Sequence, residues 1–210
     1  MTSDKVLYGH PKVLSLFPTP IYKSSISNFS EVQEEINDCI GDVDFRLVSE
    51  WGTTHYLSDP YFKSSIIDEK NLDNLRNGID IALSEYCGEL RHGYDKYDII
   101  DSWMTLFKKN NYAHIHSHGE ADLAGVYYYN TGISDNDSSF FFCTPAVGSE
   151  GSIFWGEQRI SMKPEEGTIL LFPGWLRHGV TMNETEDDRV SISFNIVFDK
   201  TKKKINLYGV

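Results

Sequence analysis

The chain has 210 residues, of which 40% are hydrophobic, 24% charged and 13% aromatic, and its formal net charge is −12. That length and apolar content are enough to bury a core and point to about one domain. An acidic balance of this size argues against general nucleic-acid binding and against docking on an anionic membrane, leaving a cationic partner as the favoured sign.

From the N-terminus, M-T-S-D-K-V-L-Y-G-H lacks the apolar core of a signal peptide. No later run approaches the length of a membrane span. The stretch L-S-L-F-P-T-P-I-Y-K-S-S-I, residues 14–26, reads as an extended strand interrupted by prolines and therefore belongs at a sheet edge. A helix follows in S-E-V-Q-E-E-I-N-D-C-I. Ser30 and Gln33 have the spacing of a capping box, and Val32, Ile36, Cys39 and Ile40 share one helical face. A second helix is expected from Lys70 to Leu90, with Leu72, Leu75, Ile79, Ala82, Leu83, Tyr86 and Leu90 on its apolar stripe.

After Tyr94 the pattern changes to short β-prone runs between turn residues: I-I-D-S-W-M-T-L-F, Y-A-H-I-H-S-H, L-A-G-V-Y-Y-Y, S-I-F-W, G-T-I-L-L-F, H-G-V-T-M and R-V-S-I-S-F-N-I-V-F. Such runs, with no helical period between them, indicate an antiparallel sandwich or barrel. The reading is one α+β, mainly β domain: residues 1–93 supply a strand and helices that pack on a core at 94–199, and 200–210 form a tail. The basic K-T-K-K-K in that tail is read as solvated. Residues 130–150 are rich in turn formers and are expected to make a mobile loop over the site, and Pro173-Gly174 is expected to turn the chain into it. The three cysteines, Cys39, Cys87 and Cys143, are odd in number and widely spaced, so neither a disulfide framework nor a cysteine zinc site is expected. The expected location is cytoplasmic, and monomer and homodimer both stay open.

Chemistry concentrates in N-Y-A-H-I-H-S-H, residues 111–118. If this is a β-strand, His114, His116 and His118 leave one face, because side chains alternate along a strand. Iron, zinc, manganese and nickel all accept neutral imidazole, and iron or manganese also favours a carboxylate. A further ligand must come from elsewhere, and the one histidine after the stripe is His178, in F-P-G-W-L-R-H-G-V. His10, His55 and His92 read as ordinary core or surface residues, and Trp175 as core or site wall. Further on, Arg189, Ser191, Ser193 and Asn195 share one strand face, with Val190, Ile192, Phe194 and Ile196 packed on the other. A guanidinium and hydroxyls along one line suit a carboxylate ligand.

This order of parts resembles the Fe(II)/2-oxoglutarate-dependent dioxygenases, in which a His-x-acid pair is followed by a distant histidine and then a basic residue, often as Arg-x-Ser. The likeness sharpens to an H-x-H group of such oxygenases found in marine bacteria and their phages, with H-x-H-P, S-G-V-Y-Y, F-P-S-W-L-x-H and R-x-S-x-S-F-N. The corresponding stretches here are His116-Ser-His118-Gly, Ala124-Gly125-Val126-Tyr127-Tyr128, Phe172-Pro-Gly-Trp-Leu-Arg-His178 and Arg189-Val-Ser-Ile-Ser-Phe-Asn195. L-F-P-T-P-I-Y, residues 16–22, is similar to the N-terminal segment of the same group.

The resemblance implies a double-stranded β-helix (a cupin-like jelly roll) that holds Fe(II) and 2-oxoglutarate and uses O2, releasing succinate and CO2 as it hydroxylates a substrate. By position His116 and His178 are metal ligands, and His118 stands where most of the superfamily has Asp or Glu. Three neutral imidazoles leave the full charge of the ion for the 2-oxoglutarate dianion to balance. His118 is too bulky to leave a halide position, which disfavours a halogenase. His114, Glu120 and Asp122 stay open as alternative third ligands. Arg189 matches the residue that pairs with the distal carboxylate of 2-oxoglutarate, Ser191 its hydroxyl partner, and Tyr128 the tyrosine that reaches the co-substrate in prolyl-hydroxylase relatives, with Tyr127 as the fallback. The substrate, a small molecule or a protein side chain, is not legible. Two rivals remain: a non-catalytic cupin-like metal- or ligand-binding module, and a structural β-sandwich with incidental histidines.

Overall fold

The computed structural model describes residues 18–47, 54–59, 64–94, 96–132, 139–145 and 159–199. In chain order the elements are β1 (Tyr22–Ser25), α1 (Phe29–Ile40), β2 (Arg46–Leu47), β3 (Tyr56–Leu57), α2 (Ile66–Glu69), α3 (Asp73–Glu89), β4 (Tyr97–Phe107), β5 (Ala113–His116), β6 (Leu123–Asn130), β7 (Phe140–Cys143), β8 (Arg159–Met162), β9 (Thr168–Pro173), β10 (His178–Val180) and β11 (Arg189–Phe198). Antiparallel pairing joins them into a large sheet of order β1-β9-β6-β11-β4-β3-β2 and a small one of order β5-β10-β7-β8. These face each other as the expected jelly roll.

Strand β11 shows why the sequence folds this way. Its alternation sends Ile192, Phe194 and Ile196 to one face, where they meet Met104, Tyr127 and Leu171 from neighbouring strands and Val32, Ile36, Leu75, Ile79 and Leu83 from the helices. Each fully buried side chain of this kind contributes roughly 1.5–3 kcal/mol. The other face of the same sheet, through Ala124, Val126, Tyr128, Leu170 and Phe172, packs against Phe140 and Phe142 of the small sheet. The central strands are therefore buried on both sides. One face is held by helices, and the other lines the space between the sheets.

β1 lies at the sheet edge and pairs with β9 alone, as the prolines before it require. Two details differ from the sequence expectation. The first helix starts at Phe29 with Asn28 as N-cap, so Ser30 lies inside it and forms no capping box. The Asn28 side chain donates to Asn74 O instead, and Gln33 Nε2 donates to Tyr129 O at 3.0 Å, so tertiary partners outcompete the local cap. The second helix begins at Asp73 rather than Lys70. Asn71 adopts a left-handed backbone (φ 54°), which separates α2 from α3. The start of α3 is then satisfied from outside: Glu35 of α1 accepts the backbone N–H groups of Asn74 and Leu75 at 2.9 and 3.1 Å.

Strands β7 and β8 were not distinguished in the sequence, because F-F-F-C has no alternation and sits among turn formers. The runs at 14–17, 152–155 and 200–204, and residues 133–138 and 146–150 of the expected mobile loop, lie outside the described residues. No helix among the described residues is long and apolar enough to cross a membrane.

The two-faced sheet makes a sharp packing prediction at Gly125. A Cβ there would stand 2.2 Å from the Phe194 ring and 3.0 Å from Leu171. Gly125→Ala should lower stability by roughly 1–3 kcal/mol, read as a fall in Tm. An unchanged Tm would show that the strand stack is looser than described.

Candidate active site

The small sheet sets the first two imidazoles side by side, since β5 and β10 pair with His116 directly opposite His178. The third arrives on a turn. His118 lies past the end of β5, where its N–H donates to Gly174 O (2.8 Å) and its carbonyl accepts from Ala121 N (2.9 Å). Gly174 permits this approach, because a Cβ on it would stand 2.2 Å from Ala121 O and 2.9 Å from His118 O. The potential ligand nitrogens of His116, His118 and His178 all fall within 4.8 Å of one another.

The stripe does not keep strict alternation. Between the pairs His178–His116 and Val180–Ala113, β10 advances two residues while β5 advances three, so β5 carries a bulge. The extra residue breaks the face parity between His114 and His116. His114 is exposed and outside the cluster; its carbonyl oxygen meets His116 Nδ1 at 2.8 Å, and its ring lies edge-on to Tyr112. Among the described residues no carboxylate joins the cluster. The Asp122 carboxylate accepts the Phe198 N–H at 2.9 Å.

The hydrogen bonds settle two tautomers. His116 Nδ1 faces the His114 carbonyl and His178 Nδ1 faces the Leu176 carbonyl, each at 2.8 Å. A carbonyl only accepts, so each Nδ1 carries the proton and each Nε2 keeps a lone pair. His118 Nε2 stands 3.2 Å from His178 Nε2. Burial, reinforced by the neighbouring imidazoles, pulls His178 down to about 3 and His118 down to about 4; His116 is lowered too by the protein packed around its ring, although much of the residue is exposed to solvent. The rings are neutral at ordinary pH, the form that binds a transition metal. Phe140 stacks on His178 (5.2 Å) and Trp103 on His118 (5.8 Å), fixing the ring planes.

The same cavity is lined by Tyr128, Arg189 and Ser191. Ser191 pairs directly with Tyr128 across β11 and β6. Arg189 and Tyr128 are buried. The Tyr128 hydroxyl has no hydrogen-bond partner among the described residues. Burial raises its pKa, against the opposing charge of Arg189. A buried cation, an orphaned hydroxyl and a serine around one space suit an anion with several acceptor oxygens. Tyr127 points to the helix-side core instead.

Some lining residues were not singled out in the sequence. Alternation within W-M-T-L-F puts Trp103, Thr105 and Phe107 on the cavity face. His55, read as an ordinary residue, also lines the cavity, stacked on Phe107 (4.9 Å) with Nδ1 3.0 Å from Tyr112 O. No local pattern marks it, since it reaches the site only through the two-residue strand beside it. Trp175, expected in the core or site wall, is 54% exposed, and Leu176 takes the buried place.

Residues 101–195 match the sequence family described as "Putative 2OG-Fe(II) oxygenase". None of the curated proteins matches the chain. Among solved structures, a 2OG-Fe(II) oxygenase-family oxidoreductase from Burkholderia pseudomallei is similar with a TM-score of 0.59 at 12% identity, over 83% of each chain. A Pseudomonas putida prolyl-4-hydroxylase gives 0.56 at 13% identity, over 84% of this chain and 92% of its own. HygX from Streptomyces hygroscopicus, solved with nickel and 2-oxoglutarate, gives 0.59 at 15% identity, over 85% of this chain and 82% of its own. At these identities the structural likeness is one of fold.

Two predictions follow from the geometry. His118 and His178 have folded pKa values below the ordinary 6.5, so below that pH the unfolded chain binds more protons than the folded one, and stability falls as pH drops. Metal-free protein should therefore lose Tm between pH 6.5 and 5, and His178→Phe should flatten that slope; equal slopes would contradict the burial argument. Gly174→Ala should push the His118 turn away and weaken Co(II) binding by roughly tenfold or more in a calorimetric titration, with wild-type affinity as the contrary result.

Proposed function

We propose that the protein, whose residues 101–195 match the 2OG-Fe(II) oxygenase family, is a 2-oxoglutarate/Fe(II)-dependent oxygenase in which His116, His118 and His178 hold the iron while Arg189, Ser191 and Tyr128 hold 2-oxoglutarate. The observation that carries the assignment is the convergence of three neutral imidazoles in a cavity that also presents a buried guanidinium. The donor set fits the metal: two Nε2 lone pairs are fixed by backbone carbonyls, and the third imidazole lies between stacked rings. His118 Nε2 and His178 Nε2, 3.2 Å apart, can share either a proton or a cation. The orphaned Tyr128 hydroxyl and the Arg189 guanidinium fit a dicarboxylate.

When bound, the iron and 2-oxoglutarate supply the oxidising power, with O2 consumed and succinate and CO2 released. The chain's own residues bind, orient and shield. Arg189 offers a forked, permanently charged donor to the far carboxylate, and Ser191 and Tyr128 add hydroxyl donors that fix its rotation. Phe140, Phe142 and Phe172 form the dry side of the site beside His178, which strengthens each of these polar contacts. The reaction we favour is hydroxylation of a substrate C–H bond, and residues 1–210 are read as one oxygenase domain. The substrate class stays open between small molecules and protein side chains.

Anaerobic protein with Fe(II) should develop a visible metal-to-ligand charge-transfer band when 2-oxoglutarate is added, and air should then yield succinate. His178→Ala should abolish the band. Arg189→Ala should retain the metal but weaken 2-oxoglutarate binding by roughly ten- to hundredfold. A protein that binds metal with no response to 2-oxoglutarate would instead be a plain metal-binding module.

A further inference from the structure

His116 and His178 have their Nδ1 protons taken by backbone carbonyls two residues earlier, those of His114 and Leu176. His118 sits in a turn beyond β5 and has no such carbonyl among the described residues. Something else must fix its tautomer if Nε2 is to present a lone pair. The register of β4 and β11 places Asp101 opposite Asn195, on the parity that brings Trp103, Thr105, Ser191 and Ser193 to the cavity. Asn195 Nδ2 donates to Asp101 Oδ1 at 2.7 Å. A carboxylate accepts, so this bond decides which end of the amide is which: the nitrogen faces Asp101 and Oδ1 faces away.

That Oδ1 is buried with no hydrogen-bond partner among the described residues. A buried carbonyl oxygen left in that state is unfavourable, so it calls for a donor. The imidazole on this side of the cavity is His118, whose ring stacks at 5.8 Å on Trp103, two residues from Asp101 on β4 and directly opposite Ser193 on β11; Asn195 favours its charged form. Because His118 Nε2 is turned to His178 at 3.2 Å, the nitrogen left for Asn195 is Nδ1.

We propose that Asp101 and Asn195 are a positioning pair for the metal: Asp101 locks the Asn195 amide so that its Oδ1 takes the Nδ1 proton of His118, leaving the His118 Nε2 lone pair for the ion. Neither residue touches the metal or the co-substrate. They do for His118 what local carbonyls do for the other two histidines, with side chains drawn from two adjacent strands of the opposite sheet. Outer partners of metal-bound histidines generally act this way, orienting the ring and holding one tautomer. The proposal rests on the reading of His118 as a metal ligand.

The test uses the full chain, Zn(II) and Co(II) as probes, and four variants: Asn195→Ala, Asp101→Ala, the double alanine variant and the exchanged pair Asp101→Asn/Asn195→Asp. Calorimetric titration with Co(II) should show each alanine variant binding roughly ten- to hundredfold more weakly. The double alanine variant should be no weaker than the weaker single one, because both break the same contact. The exchanged pair keeps an acceptor facing His118 and should recover most of the affinity. In the Zn(II) form, 15N NMR of the His118 ring should show a protonated Nδ1 in the wild type and the exchanged pair. A role confined to strand pairing would lower Tm in the alanine variants without moving Co(II) affinity or ring shifts, and that outcome overturns the proposal. If Asn195→Ala does not fold, Asp101→Ala and the exchanged pair decide by the same criteria. Wild-type chain that binds no Co(II) would sink the parent reading of the histidines, whereas wild-type binding left within twofold in Asp101→Ala sinks only this one.

Discussion

Three imidazoles with ligand nitrogens within 4.8 Å of one another share that space through either an N–H···N hydrogen bond or a common cation, and the rest of the structure bears on which. Burial disfavours charging the rings, holding His118 and His178 far below the ordinary histidine range, and the neutral contact open to them is the 3.2 Å approach of His118 Nε2 and His178 Nε2. A divalent cation replaces that contact when both Nε2 atoms present lone pairs. Local hydrogen bonds are consistent with such a use. Carbonyl oxygens two residues upstream of His116 and His178 take the outer protons and leave the inner nitrogens bare.

A cluster of this kind needs a rigid frame, because the gain from binding depends on ligands that do not have to reorganise. The frame is the large sheet, whose central strands are packed on both faces. Ile192, Phe194 and Ile196 anchor β11 against the helices, while Arg189 and Ser191 on the same strand face the cavity. The residues that stabilise and the residues proposed to bind thus alternate along one strand, so neither set can shift without the other. The small sheet contributes less packing but carries the chemistry, since the β5–β10 pairing alone brings His116 opposite His178.

Much of this could be read in advance wherever a periodic pattern met a packed face. The alternation of R-V-S-I-S-F-N-I separated the core face of β11 from the cavity face, and the apolar stripe from Leu75 to Tyr86 located α3. What was not legible depends on contacts distant in sequence. The bulge that breaks the parity between His114 and His116 is a property of how β5 pairs with β10. The placing of His118 depends on Gly174, far along the chain, leaving room for the turn at Ala121. The caps failed for the same reason: Gln33 found Tyr129, and Glu35 capped a helix other than its own. His55 entered the cavity wall with no local signature at all.

Iron held by three imidazoles and no protein carboxylate is distinguishable by X-ray absorption at the iron edge of the anaerobic Fe(II)–2-oxoglutarate complex. Imidazole rings give a distinctive multiple-scattering pattern whose intensity counts them. The account predicts three rings per iron in the wild type and two in His118→Ala. Two rings in the wild type, unchanged by His118→Ala, would contradict it and return the third position to an acidic residue.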